Sequence, residues 1–486
     1  MKLKKALAVA LTATMAFGTL TGCNKSGNDT TTTTAASQNE TTTTEAASNG
    51  ETPADTGIES CTIEFWHAMN NKQEEELTAL TDKFNETNEY GITVNLTNQG
   101  AYPDLSSKLT ANAAADTLPD LAQAYNNWLS AYSDKLVHLD DFVANDFDNW
   151  DDIVAGYRDE NSQFGFISGV PFNKSTYVLF YNKTMFDELD LTAPLTWNEL
   201  LEQAKIIKDE KGIETIGWDD LAGMFQAMLA QNGCGYIDEN GALFDNEKGL
   251  ETVEFIMNLY NNGYARLVGE DKYFSNVISN QLIASYVGSS TGASYITADG
   301  WELGVAPLVS NTEMAANAAG TNIVMFSKDT NKQKAAWEYL KFLTTAENTT
   351  EWAMTTGYLP VRTSAYESET YQQFMATDPT SVAAYSQAAY FISQPAFEGS
   401  YDVMTAVSNT LEEQILNEAD AQTALDALVK ASNLRFILKP EEGVHMDTLL
   451  FCKADIRNPL SLLAYERSRF AYSAFKICIY KICCLC

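Results

Sequence analysis

Strand and helix alternate from Cys61 onward, and that order restricts the chain to an α/β fold. Cys61-Thr-Ile-Glu-Phe-Trp66 reads as a strand, and Lys72 to Asn85 as an amphipathic helix with Leu77, Leu80 and Phe84 on one face. Ile92-Thr-Val-Asn-Leu96 is an alternating strand, Leu105 to Ala115 a second helix, and Leu118-Pro-Asp-Leu-Ala-Gln-Ala-Tyr125 brings the third strand. The alternation predicts a largely parallel sheet. Ligands of such sheets collect beyond the carboxyl ends of the strands. Trp66, His67, Tyr102, Tyr125 and Asn126 all fall at or just past such ends.

Gly169 to Asn182 reads as a strand pair with a turn that carries the chain into a second domain. There Thr196-Trp-Asn-Glu199 is a capping box opening a helix to about Lys208. Helices follow near Leu221 to Ala230 and Glu247 to Tyr260, with Asp238-Glu-Asn-Gly241 as a turn between them. Ile283 to Val287 and Gly304 to Pro307 read as strands leading back, Thr321 to Phe326 as another, and Lys332 to Leu343 as a helix. A chain that leaves one α/β domain, builds a second and returns crosses more than once. That topology places a hinge between two lobes.

Ahead of this body the chain is specialised for export. Lys2, Lys4 and Lys5 precede an apolar run from Ala6 to Phe17, too short to span a bilayer, and then Leu20-Thr21-Gly22-Cys23. The last four residues look like a bacterial lipobox, which implies removal of residues 1–23 up to the cysteine and lipidation of Cys23. Residues 24–57 are dominated by Thr, Ser, Asn, Ala and Glu, and lack the apolar content to offset ordering entropy. They read as a flexible leash. A two-chain lipid anchor holds stably where one chain is marginal, so the body is expected on the extracytoplasmic face of the cell membrane.

The formal charge of -34 over 486 residues argues against nucleic acid as a partner. No internal apolar run reaches transmembrane length. Five of the eight cysteines crowd residues 452–486, without the spacing or the histidines of a zinc site. Asp140, Asp141, Asp146, Asp148, Asp151 and Asp152 lack the turn glycine and closing glutamate of an EF-hand loop and read as a solvated acidic segment. No metal or cofactor is expected. The catalytic motifs Gly-x-Ser-x-Gly and His-Glu-x-x-His do not occur. A glycosidase would need two carboxylates about 5 to 9.5 Å apart, and Glu64 with Asp104 or Glu398 are the pairs on offer.

Four segments share one resemblance: Ile63-Glu-Phe-Trp-His-Ala-Met69 with Asp82-Lys-Phe-Asn85, Pro171-Phe-Asn-Lys-Ser-Thr176 with Leu179-Phe-Tyr-Asn-Lys183, Glu351-Trp-Ala-Met-Thr-Thr-Gly-Tyr-Leu-Pro360, and Ala424-Leu-Asp-Ala-Leu-Val429. In order and spacing they resemble the extracellular solute-binding proteins (family 1, sugar type) of bacterial ABC importers, closest to the glycerol-3-phosphate-binding branch. The resemblance implies an α/β, two-lobed, periplasmic-binding-protein-like (type II) clamp with hinge crossovers. It implies a monomer that captures one solute and delivers it to ABC permease subunits, with no catalytic residues. The solute-binding domain is expected over 58–433, with lobes near 58–170 plus 321–360 and 175–315 plus 361–433.

Carried over residue by residue, the family's tyrosine after the second strand matches Tyr102, and its Tyr-Glu at the third strand matches Tyr125-Asn126, an amide in place of a carboxylate. Its serine in the Pro-Phe-Asn segment matches Lys174 or Ser175. Its tryptophan in the second lobe matches Trp218, its Ser/Gly loop matches Ser290 within Ser289 to Gly292, and its late glycine and tyrosine match Gly320 and Tyr358. The branch holds phosphate with an arginine after its Pro-rich segment, and Gln394 to Tyr401 has none. Arginine is the bidentate phosphate ligand, so a neutral sugar or oligosaccharide is favoured over glycerol 3-phosphate or a glycerophosphodiester, with Lys174 a partial substitute for the missing cation.

Aromatic platforms suit sugar C–H faces, and Trp66, Trp218, Trp301 and Tyr358 are the candidates against a core role for each. Trp197, Trp337 and Trp352 sit in helical patterns and read as core. His67 is open to a ligand role or a structural one. A secreted glycoside-active enzyme and a carbohydrate-binding adhesin or sensor lipoprotein remain as readings of another class. From Leu434 the charge balance turns basic, eight Lys/Arg against five Asp/Glu, and residues 434–486 read as a frameshifted or read-through tail.

Overall fold

The computed structural model describes residues 57–437, with side chains to Asn433. The export segment with Cys23, almost all of the leash and the basic tail lie outside the described residues. Ten strands occur in chain order: β1 (Thr62–His67), β2 (Thr93–Asn98), β3 (Leu121–Ala124), β4 (Val170–Asn182), β5 (Ile237–Asp238), β6 (Gly241–Ala242), β7 (Ser285–Ser289), β8 (Leu303–Ala306), β9 (Ala316–Met325) and β10 (Phe391–Ile392). The main sheet runs β2-β1-β3-β9-β4-β7, with β8 beside β4 and β10 beside β9, while β5 and β6 form a separate hairpin. The edge formed by β2, β1 and β3 is parallel, and every pairing of β4 is antiparallel.

The first lobe follows from its sequence pattern. On β1 the alternate residues Ile63, Phe65 and His67 are buried, as a half-covered strand requires. The helix Asn71–Thr87 sets Leu77, Leu80 and Phe84 against them at helical spacing. The helix Thr330–Leu343 returns Trp337, Tyr339 and Leu340 to the same core. In the second lobe Thr196 caps the helix Trp197–Lys211 by accepting from the Glu199 N–H (3.2 Å), and the Glu199 carboxylate accepts from the Leu195 N–H (2.7 Å). Its core joins Trp197, Phe225, Phe244 and Ile256 to Val407, Leu411 and Leu428 from the helices Ser400–Leu416 and Ala421–Ile437.

Two strands belong to both lobes. The expectation of a strand pair with a turn over Gly169 to Asn182 is corrected here: β4 is one continuous 13-residue strand. No turn forms because Val170–Thr176 pairs with β9 while Tyr177–Asn182 pairs with β7 and β8, so both halves find ladder partners without reversing. β9 likewise pairs β3 at one end and β10 at the other. The register slips between Pro171 and Asn173, a bulge that bends the strand where the lobes join. Gly320 stands opposite Lys174 at φ +88°, and a Cβ there would lie 2.0 Å from the Asn173 carbonyl oxygen. Only glycine fits that crossing. A third connection runs along 386–400: Gln226 of the second lobe donates to the Ser393 carbonyl (2.8 Å) and Asn127 of the first donates to Gln394 Oε1 (3.0 Å).

Candidate functional site

Where β3 ends, Tyr125 turns into a short 3₁₀ segment (Asn126–Ala131), and the helix Tyr102–Ala115 opens beside it. The Tyr102 ring meets Tyr125 edge to face at 5.1 Å, and Tyr125 meets Trp128 at 4.9 Å. The Tyr102 hydroxyl lies 3.3 Å from that of Tyr358 and accepts from Asn173 Nδ2 (2.9 Å). Asn173 Oδ1 in turn accepts from Gln123 Nε2 (3.0 Å) and Thr321 Oγ1 (2.6 Å), and Gln123 Oε1 accepts from the Ala68 N–H (2.9 Å). This chain of amides fixes the tyrosines from β3, β4 and β9, so their hydroxyl directions are set by buried neighbours. Tyr358 stacks on Trp352 with centroids 5.7 Å apart.

The second lobe answers with its own polar groups. Tyr177 on β4 donates to Asp220 Oδ2 (2.8 Å), two residues along from Trp218. Burial raises the Tyr125 hydroxyl far above its usual range, and Tyr358, Asp220 and Tyr273 add to the rise. Tyr177 is raised by burial first, then by Asp220 and, further down, Tyr125. Burial holds the Asp219 carboxyl at about 6, partly opposed by the Phe274 N–H that donates to it (2.8 Å). Tyr177, Trp218 and Asp220 share the wall of a small cavity with Met224, Met228 and Asn317. The arrangement presents phenol, amide and carboxylate groups beside aromatic faces, and such a surface exchanges hydrogen bonds with hydroxyls.

The other residues singled out from the sequence fall in several places. Trp66 packs, partly buried, against the cluster of Leu105, Leu109 and Trp128. His67 is buried, its Nδ1 accepting from the Met69 N–H (3.3 Å), and burial lowers its pKa. Asn126 is buried and donates to the Glu160 carbonyl (2.8 Å). Ser175 receives a bond from Ser289 (3.3 Å), and Ser290 is buried with its hydroxyl facing no protein partner. Gly320 serves the strand crossing described above. Trp301 is buried in the cluster around Phe180 and Tyr286, and Trp197, Trp337 and Trp352 are core as expected.

Lys174 corrects the expectation that it stands in for a phosphate-binding arginine. It is fully buried, paired with Glu160, bonded to the Gly320 carbonyl (3.3 Å) and Asn322 Oδ1 (3.4 Å), and set over the Tyr157 ring. The carboxylates offered for a glycosidase are also occupied. Glu64 accepts from Asn95 (2.8 and 2.9 Å), and Asp104 accepts from the Ala101 N–H at its own helix start (3.1 Å). In the acidic segment Asp146 pairs with Lys341, Asp151 with Arg158 and Asp152 with Arg362. Among the described residues no three His, Cys, Asp or Glu side chains are placed to share a metal ion, and no helix is long and apolar enough to cross a membrane.

Sequence reasoning passed over Gln123, Asn173, Tyr177 and Asp220. All four lie within two residues of a position it did select, but their meeting depends on strands far apart in the chain.

A family model described as bacterial extracellular solute-binding protein matches residues 79–380. The sn-glycerol-3-phosphate-binding periplasmic protein UgpB of Salmonella typhimurium is 25% identical over 408 residues, 76% of this chain and 92% of that protein. UgpB of Escherichia coli K12 is 26% identical over 407 residues, again 76% and 92%. Among solved structures, the cyclic alpha-maltosyl-1,6-maltose binding protein from Arthrobacter globiformis has a TM-score of 0.69 at 23% identity, covering 77% of this chain and 98% of that one. UgpB from Mycobacterium tuberculosis in complex with glycerophosphocholine has a TM-score of 0.68 at 23% identity, covering 78% and 100%. The fold in common is the two-lobed, type II α/β clamp expected from the sequence.

Proposed function

The chain belongs to the bacterial extracellular solute-binding proteins, and from that premise we propose that it captures a neutral sugar or oligosaccharide between its lobes for an ABC permease. The observation that carries this reading is the charge of the cleft. Tyr102, Tyr125, Tyr177 and Tyr358 converge there with the carboxylate of Asp220. The three arginines among the described side chains each pair elsewhere, Arg158 with Asp151, Arg266 with Asp271 and Arg362 with Asp152. Lys174 is bound to Glu160, and Lys272 is exposed beside Glu270 and Asp271 in the chain. A phosphate brought to this cleft would meet carboxylates without a bidentate cation, which is costly. Hydroxyls both donate to Asp220 and accept from tyrosines.

The UgpB relatives make glycerol 3-phosphate or a glycerophosphodiester the second reading. Calorimetry against a panel of neutral mono- and oligosaccharides, with glycerol 3-phosphate and glycerophosphocholine alongside, separates the two. Reversible binding of a saccharide without turnover is expected. Tight binding of either phosphate compound with no saccharide bound would overturn the assignment, and glycoside hydrolysis would move it to an enzyme.

The site assigned to the ligand comprises Tyr102, Tyr125, Trp218 and Tyr358, joined by Tyr177 and Asp220. Residues 58–170 with 321–360 form one lobe and 175–315 with 361–433 the other, rotating about β4, β9 and the 386–400 connection. The ligand stabilises the closed state because it contacts both lobes. Cys23 carries the lipid that keeps the clamp near its permease.

A further inference from the structure

The small cavity of the second lobe is flanked by the helix Leu221–Gln231 and by β4, β7 and β9, and it has room of about 20 Å³ for the centres of water-sized atoms. That is enough for one such group. Tyr177, Asp220 and Leu308 in its wall are half-buried, while Trp218, Met224, Met228 and Asn317 are buried. The cavity therefore opens beside the tyrosine and carboxylate already placed in the cleft.

Much of the wall is apolar, and one polar atom stands out against it. Asn317 is 1% exposed, and its Oδ1 has no hydrogen-bond partner among the described residues. A buried acceptor without a donor is destabilising. Its neighbours nevertheless hold it that way round. Asn317 Nδ2 donates to Gln226 Oε1 (3.0 Å), and Gln226 Nε2 donates to the Ser393 carbonyl (2.8 Å). Turning the Asn317 amide over would set oxygen against oxygen at Gln226. Turning Gln226 as well would set oxygen against oxygen at Ser393. A relay ending on the main chain thus leaves the Asn317 oxygen as the end that faces the cavity.

The other polar groups of the wall do not satisfy it. Gln231 has both ends of its amide occupied, by Trp197 Nε1 (2.9 Å) and by the Ala315 carbonyl (3.0 Å). The Tyr177 proton goes to Asp220, whose carboxylate takes it instead of capping the helix that follows. Asn317 and Asp220 offer an occupant acceptors.

We propose that this cavity seats one hydroxyl of the solute, which donates to Asn317 Oδ1, and that Asn317 is a specificity-determining residue with Gln226 as its positioning residue. This rests on the saccharide reading of the cleft. The seat accepts a donor of one heavy atom. A phosphate or carboxylate oxygen would bring an acceptor against an acceptor. A deoxy position, or an epimer that points the hydroxyl elsewhere, leaves Asn317 buried and unpaired.

The test is calorimetry on the full chain with glucose, galactose, maltose, isomaltose and cellobiose, and then with every monodeoxy counterpart of each sugar that binds. One deoxy position is expected to cost at least about tenfold in affinity, equivalent to about 1.4 kcal/mol. In Asn317→Leu the penalty at that position should fall below about threefold, while the penalties at all other positions stay within about twofold of the parent's. Gln226→Leu, which frees the amide to turn, should reduce the same penalty and no other. A crystal structure of the parent with the bound sugar reads the seat without any variant, and a sugar hydroxyl is expected within about 3.2 Å of Asn317 Oδ1.

A water at that oxygen in the sugar complex overturns the proposal while leaving the saccharide reading standing. So do variants that weaken the sugar and all its deoxy counterparts equally, the mark of a merely structural role. Absence of binding by every sugar removes the saccharide reading and the seat together.

Discussion

Lys174→Met is the perturbation that most directly probes how the lobes are joined. The Lys174 ammonium has no exposed surface, and the Glu160 side chain it pairs with is 6% exposed. The lysine also donates to Gly320 O and Asn322 Oδ1 on β9, so one side chain ties β4 to both its partner strand and the helix Ala155–Asn161. Methionine fills a similar volume but leaves the Glu160 carboxylate buried without a counter-charge and removes the bonds to Gly320 O and Asn322 Oδ1, of which the latter keeps Asn161 Nδ2 as a donor (3.0 Å). Breaking one partner of a buried pair costs about 3–5 kcal/mol, whereas replacing both by apolar groups is near neutral or stabilising.

The expected pattern is therefore a loss of about 3–5 kcal/mol for Lys174→Met and recovery to within about 1 kcal/mol in Lys174→Met with Glu160→Met. Urea unfolding at pH 7, followed by tryptophan fluorescence, reads both, and the double-mutant cycle isolates the pair. The bond from Asn126 goes to the Glu160 main-chain carbonyl, so the substitution at 160 leaves it in place. A loss below about 1 kcal/mol in the single variant, or a double variant no better than it, refutes the reasoning.

Gly320→Ala should destabilise by at least about 2–3 kcal/mol, since the φ of +88° and the 2.0 Å approach to the Asn173 carbonyl both oppose a Cβ; thermal unfolding measures it. Asp219 has a folded pKa raised to about 6, so its contribution is present below the unfolded value of about 3.9 and is lost as pH rises through about 6. Asp219→Asn should therefore gain up to about 2 kcal/mol on the parent between pH 4 and pH 7.5; a constant difference across that window contradicts the assignment. Tyr358→Phe removes the hydroxyl 3.3 Å from Tyr102 but keeps the ring on Trp352. It should lower saccharide affinity about tenfold with little change in melting temperature; unchanged affinity would take Tyr358 out of the site.

Local regularities were legible in the chain. The helix carrying Leu77, Leu80 and Phe84 was readable because three apolar residues at helical spacing leave one way to bury them. The Thr196 cap was readable because its partner Glu199 is three residues away. The boundaries moved outward by a few residues, to Asn71–Thr87 and Trp197–Lys211, as helix ends depend on caps more than on periodicity. The continuous β4 was not readable. Pro171 and the polar run Asn173-Lys-Ser-Thr176 resemble a turn, and only pairing with β9, some 140 residues later, keeps them extended.

Order along the chain was enough to establish an α/β clamp of two lobes and the neighbourhood of its cleft, because hydrophobic spacing and family motifs are properties of adjacent residues. The chemistry of the cleft needed the third dimension. A lysine that looks available for phosphate is spent on a glutamate 14 residues earlier in the sequence. A tyrosine at 102 finds its partner at 358, and a glycine at 320 is required by an asparagine at 173. Burial and pairing arise from contacts between distant segments, and those contacts decide which polar side chains remain free to meet a solute.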